Sequence, residues 1–305
     1  MFKFSSSINV ELVTFVIFWG FLVRITDSGD GCGASWPLCP ELKTLSAASL
    51  IEFVHRLSTI GLVFFFTIFA IKAYRFFYLR KLIHYILVLI LLEALIGAVI
   101  VLGKFPGSEL NFLKLTFYGG HIILSSLLLI FFCLLKEATH SAKDVQLVAI
   151  FKNTPLTLLL LLAFSGSINA SLSVSKEFQN VLQNNHLMGL SYFQKFKHFL
   201  VLHFERLYDF LNISPHNLGF FDSLVILFAH SHLALSCILL LLTGYNFFTG
   251  KFSAQVSLGI GITALTGAII PLSFGHKIAK AGHVFFYLIS LRLLTVQSLR
   301  SSEAH

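Results

Sequence analysis

The chain has 305 residues, 56% of them hydrophobic and only 12% charged, with a formal net charge of +8. A mean hydropathy of +0.84 over that length excludes an ordinary soluble domain and indicates a polytopic membrane protein. The positive charge then sets topology and meets the headgroups of membrane lipid; it does not point to nucleic acid.

Eight apolar runs follow one another, at about 8–25, 49–73, 83–102, 116–135, 153–173, 219–243, 254–271 and 280–297. Each is close to the roughly twenty residues a helix needs to cross the hydrocarbon core. Backbone groups in lipid must be satisfied within the segment, so these runs are helices and not strands. The expected fold class is an all-α polytopic membrane protein with eight transmembrane helices. The first run carries Glu11, has one basic residue ahead of it and lacks a small-residue cleavage site after it, so it reads as an uncleaved helix. Lys72, Arg75, Arg80 and Lys81 in the second connection, and Lys136, Lys143 and Lys152 in the fourth, put both connections in the cytoplasm. Lys3 and Arg300 bring both termini to the same side, which leaves the first connection outside.

An internal repeat divides the chain. Residues 93–100 read EALIGAVI and residues 263–270 read TALTGAII, with five of eight positions identical. They fall at the same place in successive sets of four helices, as in membrane proteins built from parallel repeats. Small residues there would equally let helices pack closely. The expected organisation is two pseudo-repeated four-helix bundles, 1–145 and 146–305. The second half contains a polar stretch, 175–218, in which Phe193, Phe196, Leu200, Phe204, Leu207 and Leu211 recur at helical spacing opposite Lys195 and Arg206. That pattern predicts an amphipathic helix on the outer surface. Its histidines, His186, His198, His203 and His216, read as interfacial polar residues.

The chemistry concentrates at the outer rim. The first connection is polar, glycine-rich and holds Cys32 and Cys39, two of the four cysteines. On the oxidising side such a pair forms a disulfide, either structural or redox-active. Cys133 and Cys237 read as buried apolar fillers. Of thirteen histidines, four sit in the outer halves of even-numbered helices: His55, His121, His230 and His283. A lone membrane histidine can simply hydrogen-bond a neighbouring helix. Four at one depth, two per repeat, favour paired axial ligation of haem iron. His232 is two positions from His230 and points to nearly the opposite face; His230 is taken as the one that enters the bundle. Glu52 shares a helical face with His55 and could relay protons or stabilise charge there, or snorkel to the interface. Arg24 and Arg56 flank the same rim, where guanidinium groups could pair with haem propionates or sit as interfacial arginines. Glu93 is buried in the third run, with an interhelical hydrogen bond or a proton-carrying role open to it.

The sequence resembles the haem A synthase family. The residues that carry the likeness are Val23-Arg24, Ser28-Gly29, Cys32-Gly33, Trp36-Pro37-Leu38-Cys39 and Glu52-Phe53-Val54-His55-Arg56. The resemblance implies oxidation of the methyl group of haem O to a formyl group by successive hydroxylations, giving haem A. It assigns Glu52, His55 and His121 to the half that handles the substrate haem, and His230 and His283 to a haem b cofactor. The outer-loop cysteines of the family correspond to Cys32 and Cys39. The setting it implies is a bacterial cytoplasmic membrane, with haem O synthase, cytochrome oxidase assembly factors and an unspecified electron donor as neighbours. The chain departs from the family pattern where Ser231 follows His230 in place of arginine, and where Glu93 replaces glutamine. It also departs in the fifth run and in its long fifth connection. Two other readings stay open: a di-haem cytochrome b, and a non-enzymatic haem carrier or assembly factor. The cytochrome does not explain the cysteine loop or a carboxylate beside a ligand, and the carrier predicts haem released unchanged to a partner.

Overall fold

A computed structural model of the chain describes residues 2–33, 35, 37, 39, 46–103, 112–142, 153–171, 220–269 and 277–302. Eight helices are found among them: α1 Phe2–Ile25, α2 Ala47–Ala73, α3 Phe77–Leu102, α4 Phe112–Ser141, α5 Thr154–Ser171, α6 Phe220–Phe248, α7 Ala254–Ile269 and α8 Lys277–Ser302. Each of the eight apolar runs is a helix, and most continue past their run by a polar turn. Six contain stretches long and apolar enough to cross a membrane, while α5 and α7 hold the shorter apolar segments Thr154–Gly166 and Ala254–Gly267. The chain is an integral membrane protein. The amphipathic helix expected within 175–218, with its four histidines, lies outside the described residues, as do Lys143 and Lys152.

Local signals start the helices where they begin. Ser46 caps α2 by accepting the Ser49 amide, at 3.1 Å. Asn153 does the same for α5 through the Leu156 amide, at 3.1 Å. Such caps satisfy amides that the first turn leaves without partners. After α6 the chain turns through Gly250 at a φ of 70°, a left-handed conformation that glycine takes without steric cost.

Four helices form the centre. α1 packs on α4 and α8, α4 on α5 and α8, and α5 on α8. Outside them α2 lies on α1, α3 on α4, α6 on α5 and α7, and α7 on α8. The core is aromatic and leucine-rich: Phe66 meets Phe132 edge to face with centroids 5.1 Å apart, beside buried Leu129, Leu134 and Leu135 of α4. Leu156, Leu159 and Leu162 of α5 and Leu288, Leu291 and Leu294 of α8 complete it. The exposed apolar face of α3, with Leu87, Val88, Leu91 and Leu95, is suited to hydrocarbon.

An ion pair ties the first helix to the last. Both Glu11 oxygens accept from Arg292, at 2.6 and 2.9 Å, in a bidentate fork. Arg292→Leu leaves the Glu11 carboxylate alone on an apolar helix surface, a loss of roughly 2–3 kcal/mol on insertion-derived scales. The double variant Glu11→Leu/Arg292→Leu removes both charges and regains most of that loss. Thermal unfolding in detergent reads the difference; equal melting of the single and double variants would contradict it.

Candidate functional site: two histidine pairs and the cysteine loop

The loop after α1 folds back onto the start of α2. Cys32 and Cys39 form a disulfide with Cα atoms 4.9 Å apart. Gly31 is pressed so closely on α2 that a Cβ there would lie 2.5 Å from the Ala48 carbonyl carbon, so only glycine fits. The Ser49 hydroxyl donates to the Gly31 carbonyl at 2.7 Å. Glu52 closes the clasp: one carboxylate oxygen accepts the Cys32 amide at 2.7 Å, and the other pairs with Arg56 one turn on. Arg56 also donates to the Ser35 carbonyl. Glu52 is 3% exposed and Arg56 8%, so the pair is buried under the loop. The sequence reading had separated these residues, with Glu52 beside His55 and Arg56 at the rim. Their i, i+4 spacing was the signal that they meet.

Arg24, at the end of α1, lies with its guanidinium carbon 3.8 Å from the centroid of the Tyr118 ring of α4. This cation–π contact sets the arginine between the loop and the first pair of histidines.

His55 of α2 rests on α1. A Cβ at Gly20 would stand 2.8 Å from His55 Cε1, and the ring reaches the backbone of Val16, one turn before. Nδ1 of His121 of α4 lies against the Glu93 carboxylate of α3 as a charge pair, and the other carboxylate oxygen accepts the Ser125 hydroxyl. His55 and His121 are near enough for their charges to interact.

The contact of a histidine with a glycine of the preceding helix recurs in the second half of the chain. His232 of α6 rests on α5: a Cβ at Gly166 would stand 3.0 Å from its Cε1, and its ring reaches the backbone of Leu162, again one turn before that glycine. Nδ1 of His232 bonds the Ser165 hydroxyl at 2.9 Å. His283 of α8 bonds the Thr266 hydroxyl of α7 through Nδ1, also at 2.9 Å. The two rings face each other with centroids 6.0 Å apart and planes at 74°.

The histidine opposite His283 is therefore His232, where the sequence reading had chosen His230. The reason is the rotation of α6. Its buried stripe runs through His232, Ser236, Leu239 and Thr243, whereas Ala234, Cys237 and Leu241, on the register of His230, are exposed. The His230 side chain lies outside the described residues. The same rotation corrects Cys237, expected as a buried filler and found exposed, while Cys133 is buried as expected.

The donor set fits an imidazole-ligated metal. Two imidazoles sharing one metal, with bonds of about 2 Å, hold their ring centroids about 6 Å apart, which is the spacing of His232 and His283. A hydroxyl on each Nδ1 fixes the ring and leaves Nε2 for the metal, the usual arrangement behind ligand histidines. Gly267 lies where the rings converge: a Cβ there would be 2.8 Å from Ser236 Oγ, 3.0 Å from His283 Cε1 and 3.5 Å from His232 Nε2. Gly267→Ala is expected to cost about 1–3 kcal/mol through overpacking and to disturb any haem held by the pair. Gly261→Ala on the same helix meets nothing within 4 Å and should be neutral or mildly stabilising. Melting temperature and the haem absorbance of the two variants check this.

No family model matches the chain. A heme A synthase from Listeria monocytogenes is 35% identical over 113 residues, 34% of this chain and 37% of that protein. One from Bacillus pumilus is 33% identical over 149 residues, 46% of each chain. One from Symbiobacterium thermophilum is 44% identical over 50 residues, 16% of each chain. The matched segments thus span less than half the length of these curated relatives. With the buried carboxylate, the disulfide and the paired histidines already in place, the chain is similar to heme A synthases over part of its length.

Proposed function

We propose that the chain oxidises the methyl group of haem O to a formyl group, making haem A, with the substrate haem in the half 1–145 and a haem b in the half 146–305. The observation that carries this reading is a histidine set against a glycine of the preceding helix in each half, beside the Glu52 carboxylate and the Cys32–Cys39 disulfide in the first. When bound, haem b supplies one-electron transfer, and haem O brings the carbon to be oxidised.

His232 and His283 are the residues to hold haem b, with His232 taking the role first given to His230. His55 and His121 are the residues to hold haem O. Val16, Gly20 and His55 correspond to Leu162, Gly166 and His232, which supports two pseudo-repeated bundles. Glu93 and Thr263 occupy the same place in the repeated octapeptide, and each lies against the histidine of the next helix. Arg24, held on the Tyr118 ring, is suited to a haem propionate. Arg56 is already engaged by Glu52 and the Ser35 carbonyl, so its part is to hold the loop. Cys32, whose amide Glu52 accepts, ties the disulfide to the start of α2. Glu52 beneath it is the carboxylate on which the oxidation depends. The cytoplasmic placement of the termini rests on the basic connections.

The test is extraction and chromatography of haems from membranes that express the chain with a haem O supply. Haem A is expected, and it should be lost in His55→Ala and Glu52→Gln. Haem B alone, with a low-spin spectrum that disappears in His283→Ala, would leave a cytochrome or a carrier instead.

A further inference from the structure

Glu93 has no part in the reading above beyond its place in the repeat, yet it is one of the most constrained carboxylates in the molecule. Its side chain is 12% exposed and pairs through Oε2 with Nδ1 of His121. Its Oε1 accepts the hydroxyl of Ser125, one turn along α4 from His121. The carboxylate therefore spans two successive positions of one helix face and is held in a single orientation.

The other candidate ligands lack this. His232 and His283 bond the neutral hydroxyls of Ser165 and Thr266 at 2.9 Å. Glu52, near His55 in sequence, spends its oxygens on the Cys32 amide and Arg56. Among the described residues, His121 is the candidate ligand with a carboxylate at Nδ1.

We propose that Glu93 is a positioning residue that makes His121 the most electron-rich of the described candidate ligands, so that a haem held in the first half is biased toward the ferric state relative to one held in the second. The proposal rests on the reading of His121 as a haem ligand. The physical basis is twofold. A carboxylate held against Nδ1 favours positive charge on the imidazole and raises the basicity of Nε2. A fixed negative charge in low-dielectric surroundings also favours the more positive state of a nearby iron. Both lower the first-half potential. The hydroxyl partners of His232 and His283 are neutral and carry no such charge.

The test is a redox titration of the haem-loaded chain, purified from membranes supplied with haem O, with His121→Ala identifying the first-half haem by its loss. Glu93→Gln keeps the shape of the side chain and removes its charge. It should raise the midpoint of that haem by a tenfold shift in the one-electron equilibrium or more, about 59 mV, and leave the second-half haem and the haem content unchanged. Ser125→Ala frees Oε1 from its donor, strengthens the carboxylate as an acceptor and should shift the same midpoint downward. This second variant decides the matter if Glu93→Gln does not fold. An unchanged first-half midpoint, with His121→Ala still losing its haem, overturns the inference alone. Full haem content in His121→Ala overturns the ligand reading and the inference with it.

Discussion

His232→Ala abolishes the low-spin haem signal of the second half, and His230→Ala leaves it in place. The expectation follows from the rotation of α6. His232 lies on the stripe that continues through Ser236, Leu239 and Thr243 into the bundle, and its Nδ1 is fixed by Ser165 at 2.9 Å. Its ring stands 6.0 Å from that of His283. If His232 and His283 hold a haem as proposed, the haem content of His232→Ala should fall to that of the first half alone. The supporting hydroxyl is worth less: Ser165→Ala should weaken haem retention by about 10–100-fold, as loss of a ligand's hydrogen-bond partner typically does. Absorbance and haem-to-protein ratio of the purified variants measure both effects. A normal spectrum in His232→Ala together with its loss in His230→Ala would reverse the assignment.

That pair of histidines shows what the sequence makes legible and what it does not. The helices were readable because hydrocarbon imposes a length and an apolar composition on every spanning segment. Each run found in the sequence is a helix, with ends that differ by a few residues where polar turns extend it, as at 77–102 against 83–102. Rotation about the helix axis is harder to read. α6 is apolar on all sides, so the pattern that separates a buried from an exposed face in a soluble helix is nearly absent. What remained was the placement of small and polar residues: Ser236 and Thr243 fall one and three turns from His232, while the turns from His230 meet Ala234, Cys237 and Leu241. Polar groups in a spanning helix turn inward, and that rule selects His232.

The contacts made across the chain were the least legible. Glu93 and His121 are 28 residues apart, and only the packing of α3 on α4 joins them. The same holds for Glu11 and Arg292 at opposite ends of the chain. The clasp of Glu52, Arg56 and the cysteine loop was half visible, because the i, i+4 spacing puts the two charges together. That the loop amide of Cys32 turns back to the same carboxylate depends on a close approach at Gly31 that composition does not announce.

Glu52→Ala is the variant with the larger effect on the fold, and comparison with Glu52→Gln separates the two parts this residue plays. The carboxylate is buried, accepts the Cys32 amide at 2.7 Å and neutralises Arg56, itself buried. Alanine leaves the guanidinium charged and the amide without an acceptor. Removing one partner of a buried pair costs about 3–5 kcal/mol, so Glu52→Ala should melt at a lower temperature and expose the 26–46 segment to protease. Glutamine keeps an oxygen for the Cys32 amide and loses only the charge, and its loop should stay protected. If the residue served only as a clasp, haem A formation would follow loop order, lost in Glu52→Ala and largely retained in Glu52→Gln. The proposed catalytic part predicts a different pattern: both variants fail to make haem A, and Glu52→Gln does so with a protected loop and normal haem content. Full activity of Glu52→Gln at normal haem content would restrict Glu52 to holding the loop and move the search for the essential proton-handling group elsewhere in the first-half site.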